Sequence, residues 1–174
     1  MGDCTEKRRG IPAARAYCGS AKYALCRYRE LATSDDQDQT ALMLYYGAFF
    51  VFARGSIEAL RNSDGATDVI LNTNQLAYFR ATIEPDPIYD LLKKERDRVA
   101  HGEDSWAAHP YKPIAMLERH SASGYPWGDV VFNAPRWPEA PFEGQPVIEV
   151  LVAVWNQIRI WLDDLDAYDK VSRA

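Results

Sequence analysis

Cysteine is scarce in this 174-residue sequence, and its placement suits neither cross-linking nor metal binding. Cys4, Cys18 and Cys26 all lie near the N-terminus. Their odd number rules out a fully paired disulfide framework, and their spacing matches no zinc-ligand pattern. Three reduced thiols in a reducing compartment are therefore expected. Positive charge is not in excess either: 20 Lys and Arg stand against 25 Asp and Glu, for a net charge of −5. That excludes binding nucleic acid through the overall field, so any RNA contact must rest on a local patch. Long apolar runs are also missing. The longest, Ala41 to Ala53, contains Gly47 and falls short of the roughly 20 residues that span a bilayer. The charged residues Glu6, Lys7, Arg8, Arg9 and Arg15 are not followed by the apolar core of a secretory signal, so a cytoplasmic protein with no membrane partner is expected. No glycine loop that could cradle a phosphate is present, and Ser20, Ser121 and Ser123 lack a nucleophile elbow.

Apolar residues make up 47 % and charged residues 26 %, which places the chain among globular rather than disordered sequences. The length fits one domain that buries roughly 70 % of its unfolded surface. Residues 1–20 mix charge with Gly10, Pro12 and Gly19 and read as a loose arm, leaving residues 21–170 as a single domain. A first helix is expected from Ala21 to Ala32, with Tyr23, Leu25, Tyr28 and Leu31 on its apolar side. After the acidic break Ser34–Asp38, a second should run from Gln39 to Arg61, burying Leu42, Tyr45, Phe49, Phe52 and Leu60. Asn62-Ser63-Asp64-Gly65 signals a turn. A third helix, Thr67 to Ala81, carries Val69, Ile70, Leu76, Ala77 and Phe79 and is stopped by Pro85. Asp86 can cap a fourth, with Pro87 in its first position, where a missing N–H costs nothing. This helix runs to His101, and Gly102 suits the left-handed residue that ends a helix.

Between residues 104 and 146 the chain is rich in proline and tryptophan and reads as an irregular insertion, within which Ile114–Leu117 and Asp129–Phe132 can pair as a short hairpin. Trp106, Trp127 and Trp137 could stack on bases, but loop aromatics more often pin a loop onto a bundle. His109 and His120 have no nearby pair of acids or cysteines that would suggest a metal, and Glu118 near His120 is a single acid. The last helix, Val147 to Tyr168, is the clearest. Val147, Leu151, Val154, Ile158, Trp161 and Leu165 alternate spacings of four and three, as a bundle seam does. The expected fold is all-α: an up-and-down bundle of about five helices with one insertion before the last.

The fourth helix ends in Leu91-Leu92-Lys93-Lys94-Glu95-Arg96-Asp97-Arg98-Val99-Ala100-His101-Gly102. Arg96 and His101 enclose four residues, and a polar residue, Asp97, follows the arginine directly. This segment resembles the motif of the HEPN superfamily of helical-bundle proteins, an arginine and a histidine separated by four to six residues. Its place near the end of a late bundle helix, with another helix to follow, is also similar. On one helix the two side chains diverge by about 140° and stand about 7.5 Å apart along the axis, so they form no site on one chain. Asp97 and His101, four apart, share a face, and the carboxylate could hold the imidazole.

The resemblance implies metal-independent and cofactor-independent RNA cleavage at a site shared across a homodimer. The ribose 2′-OH would attack the adjacent phosphorus, leaving a cyclic phosphate and a free 5′-OH. His101 would move the proton and Arg96 would stabilise charge on the phosphoryl oxygens, with Asp97 orienting the imidazole. Lys93, Lys94 and Arg98 would bind the flanking RNA backbone as positioning contacts. It further implies a toxin or defence effector, with an antitoxin or regulatory protein as partner. The alternative is a non-catalytic HEPN-like module that dimerises and binds a protein or nucleotide partner, in which Arg96 and His101 are structural: the arginine paired within the chain, the histidine capping its helix.

Overall fold

The structure is a computed structural model that describes residues 10–33, 38–61, 70–101, 137 and 139–171. Among the described residues five α-helices follow one another: α1 (Ile11–Ala32), α2 (Gln39–Glu58), α3 (Thr73–Tyr78), α4 (Pro87–His101) and α5 (Val147–Val171). A π-helical turn, Phe79–Ile83, continues α3. No β-strand occurs among the described residues. The expected all-α bundle is what forms. The expected hairpin, the Asn62–Gly65 turn and the Gly102 cap lie outside the described residues.

The first helix starts ten residues before its expected position, so residues 11–20 belong to the bundle and not to an arm. Gly10 and Pro12, read as breakers, are the start signal. Gly10 takes φ +88°, a conformation that favours glycine, and Pro12 sits in the first turn, where no N–H is needed. The buried stripe is Ala14, Cys18, Ala21, Leu25 and Tyr28, with spacings of four and three. Its early members are too small to stand out as an apolar pattern. Tyr23, expected inside, is 64 % exposed.

α2 begins at Asp38, whose carboxylate accepts from the Ala41 N–H at 3.0 Å. Its buried line is Leu42, Tyr46, Phe49, Ala53 and Ile57, with Leu60, expected on the helix, buried just beyond its end at Glu58, so Tyr45 and Phe52 flank the core instead of forming its line. By length and composition alone this helix could cross a membrane, but half of it is buried against neighbouring elements. It packs on α1, α4 and α5, as the core helix of a bundle does.

α3 is shorter than expected because Asn72 starts it. The Asn72 side chain accepts from the Gln75 N–H at 2.9 Å, and Gln75 accepts from the Asn72 N–H at 3.0 Å, a reciprocal cap. Gln75 also donates to the Leu165 carbonyl at 2.8 Å, tying α3 to α5. In α5 the whole expected seam, Val147 to Leu165, is buried. Trp137 is buried too, its ring centre 6.2 Å from that of Phe50, so the C-terminal end of the insertion is pinned to α2.

Leu151 has no exposed surface, whereas its neighbour Val152 faces solvent. Leu151→Ala should therefore cost about 2–5 kcal/mol, and Val152→Ala within about 0.5 kcal/mol of nothing, by urea denaturation. Equal losses at the two positions would contradict this orientation of α5.

Candidate functional site

α4 opens as the sequence suggests: the Asp86 carboxylate accepts from the Ile88 N–H at 2.8 Å and Pro87 takes the first position. Its buried side comprises Tyr89, Leu91, Leu92 and Glu95. A glutamate in that row is unusual, because an ionised carboxylate without partners is costly to bury. Glu95 is 2 % exposed and fully engaged. Tyr46 Oη donates to its Oε2 at 2.8 Å, and Arg98 Nη1 donates to its Oε1 at 2.6 Å. Arg98 Nη2 reaches on to Glu139 at 3.0 Å, beside Trp137. Burial pushes the Glu95 carboxyl up, with the Tyr46 hydrogen bond and Arg98 acting in the opposite direction. Burial and the nearby Glu95 push the Tyr46 phenol well above its usual range.

The motif residues divide around this anchor. Arg96 is 38 % exposed in its side chain and is held within the chain. Its Nη2 donates to Glu58 Oε1 at 3.3 Å, and its Nε stands 3.3 Å from Asp97 Oδ1. Asp97 thus meets the arginine beside it, and no Asp97–His101 ion pair forms. A neighbouring guanidinium is the stronger partner for a half-exposed carboxylate than an imidazole one turn away. His101 is exposed at the last position of α4, and Lys93 and Lys94 are exposed. Arg98, expected on a ligand, is committed inward to Glu95 and Glu139. The structure does not bring Arg96 and His101 together. They leave α4 on different sides, as their five-residue separation requires.

Two features were not foreseen. One is a cleft of about 150 Å³ whose walls include Leu91, Lys94, Glu95, Trp137 and Glu139. It lies on the Lys94 side of α4, away from Arg96. The other is a row of arginines along the α2–α4 seam. Arg54 Nε donates to Glu58 Oε1 at 3.0 Å, so Glu58 bridges Arg54 and Arg96. Arg54 and Arg61 both lie over the Tyr89 ring, at 5.1 and 5.5 Å from its centre, and Arg61 pairs with Glu84 at 3.1 Å. The sequence signal was there: Arg54 and Glu58 are the charged pair, four apart, in an otherwise apolar helix. Among the described residues no three His, Cys, Asp or Glu side chains converge as metal ligands.

Comparison with models of known families, with characterised proteins and with solved structures gives no match.

The Tyr46–Glu95 hydrogen bond favours the ionised carboxylate. Tyr46→Phe should destabilise the fold by roughly 1–3 kcal/mol at neutral pH. The loss should shrink as pH falls through the raised Glu95 value, because a protonated Glu95 depends less on that donor. In the native protein Glu95 holds its proton more tightly than in the unfolded chain. Its own contribution to stability therefore grows as pH falls through the folded value and is complete below the unfolded one. Denaturation of both proteins across acidic to neutral pH checks this. A pH-independent difference would contradict it.

Proposed function

We propose that this chain is an RNA endonuclease of the HEPN type, acting as a cytoplasmic homodimer without a metal ion. The observation that supports it most is how α4 distributes its burial. The helix sinks Leu91, Leu92 and Glu95 into the core and leaves Arg96 and His101 reachable from solvent near its C-terminal end. The resemblance to the family rests on this motif and its helical setting.

In this reading a second copy supplies the complementary motif, since one chain holds Arg96 and His101 apart. His101 moves the proton of the attacking 2′-OH or of the leaving oxygen, and Arg96 offers its donor fork to the phosphoryl oxygens. Lys93 and Lys94 remain free to hold the flanking backbone, whereas Arg98 serves the fold. Asp97 orients Arg96 rather than the imidazole. A toxin or defence role, restrained by an antitoxin or regulatory protein, fits such an activity. The second reading, a non-catalytic module that dimerises and binds a partner, draws on the pairing of Arg96 with Glu58 and Asp97 inside the chain.

Purified protein incubated with mixed RNA in chelator, beside the Arg96→Ala, His101→Ala double variant, separates the two. The expected outcome is cleavage by the native chain, products ending in cyclic phosphate, and almost none by a folded double variant. Each single variant should lose about as much as the double, since the two side chains act as a unit. Equal cleavage by native and folded double variant would sink the assignment, and no cleavage by either would favour the module.

The same reading requires a dimer. Light scattering at micromolar concentration should return twice the 19.7 kDa chain mass. A monomer there would speak against catalysis while leaving the fold untouched.

A further inference from the structure

Glu58 Oε1 accepts from two guanidiniums at once, Arg54 Nε at 3.0 Å and Arg96 Nη2 at 3.3 Å. Arg54 is 7 % exposed in its side chain, and its Nη1 has no hydrogen-bond partner. The Arg96 Nε is likewise buried and unsatisfied, its distance to Asp97 being short but its alignment poor. An arginine cannot lose its proton to relieve burial. Glu58 balances only one of the two guanidiniums and Asp97, 3.3 Å from Arg96 Nε, supplies the second negative charge, yet Arg54 Nη1 and Arg96 Nε remain donors without an acceptor. Such unmet, buried donors cost free energy in the resting chain.

We propose that Arg54 and Arg96 form a binding site for a phosphodiester group, and that Glu58 stands in for that group when the site is empty. A phosphodiester carries one negative charge and two equivalent terminal oxygens, as a carboxylate does. Exchange therefore conserves charge, while the tetrahedral phosphate can present its oxygens to both forks in the planar geometry guanidinium favours. Glu58 is 48 % exposed, so it can swing into water without crossing the core. Arg54 is held ready by Tyr89, over whose ring its guanidinium lies, and Arg61 occupies the same ring. Asp97 stands at Arg96 and Glu84 at Arg61, so each of these two guanidiniums keeps a carboxylate when Glu58 swings away. This deepens the nuclease reading and rests on it for the choice of RNA as the phosphodiester. It adds Arg54 as a second phosphate-holding side chain and Glu58 as an internal competitor.

Binding is separable from cleavage if the probe lacks a 2′-OH. A short fluorescent RNA oligonucleotide, 2′-O-methylated throughout, followed by anisotropy at fixed salt, measures it. Glu58→Gln should tighten binding by roughly tenfold, and Arg96→Gln should weaken it by a similar factor. Arg54→Lys, which keeps the charge but loses the fork, should weaken it too, with melting temperature recorded to confirm that the variant is folded. Glu30→Gln removes the same charge from an exposed position on α1 and should leave the affinity unchanged. Equal tightening in Glu58→Gln and Glu30→Gln would reduce the effect to net charge and overturn the site. No tightening in Glu58→Gln would overturn it as well. Should the chain prove unable to cleave RNA, the same affinity pattern would still establish the phosphodiester site. Should it cleave with this pattern absent, the site falls and the nuclease remains.

Discussion

The rotation of α4 about its axis depends on a carboxylate that has to be satisfied. Glu95 sits in the row that faces the core, and burying it without donors would cost more than the bundle could spare. Tyr46 from α2 and Arg98 from the next turn supply those donors, one to each oxygen. With Glu95 fixed inward, the positions of its neighbours follow from helix geometry alone. Arg96 emerges towards Glu58, Lys94 towards the cleft by Trp137, and His101 into solvent at the helix end. A small turn of α4 would break the Tyr46 contact and move every candidate functional group with it.

α2 makes that arrangement possible. It is apolar around most of its circumference and is covered by α1, α4 and α5. Close approach is helped where α2 carries Gly47: a Cβ there would come within 3.1 Å of Val99 on α4. The same helix brings Tyr46, Arg54 and Glu58 to α4 in a single line, so its apolar sides build the core while a few polar positions organise the seam. Trp137 against Phe50 extends this logic to the segment before α5, and Arg98 completes it by joining Glu95 to Glu139.

The nuclease and module readings diverge on one side chain. Arg96 is accessible enough to meet a phosphate, and it is also already paired with Glu58 and Asp97. An arginine that merely braces α2 against α4 would account for those pairs. It would not account for Arg54, whose buried guanidinium shares the same carboxylate oxygen and still has an unmet donor. Two guanidiniums competing for one half-exposed carboxylate are better suited to an exchangeable anion than to a permanent strut. That reasoning connects the motif to the interior of α2.

Local chemistry was legible from the residues. The three-four spacing from Val147 to Leu165, the start of α2 at Gln39 after an acidic break and the Asp86–Pro87 start depend only on near neighbours along the chain, and each appears where the pattern puts it. So does the divergence of Arg96 and His101, which is a property of one helix. The beginning of α1 was hidden because its core positions are alanine and cysteine, whose small side chains give weak periodicity. The late start of α3 was hidden because an Asn–Gln cap resembles any polar pair. Tertiary structure alone decided the partners: Tyr46 for Glu95, Glu58 for Arg96 and Glu139 for Arg98. Those residues lie 38 to 49 positions apart, so only the packing of α2, α4 and the Trp137 segment brings them within hydrogen-bond reach.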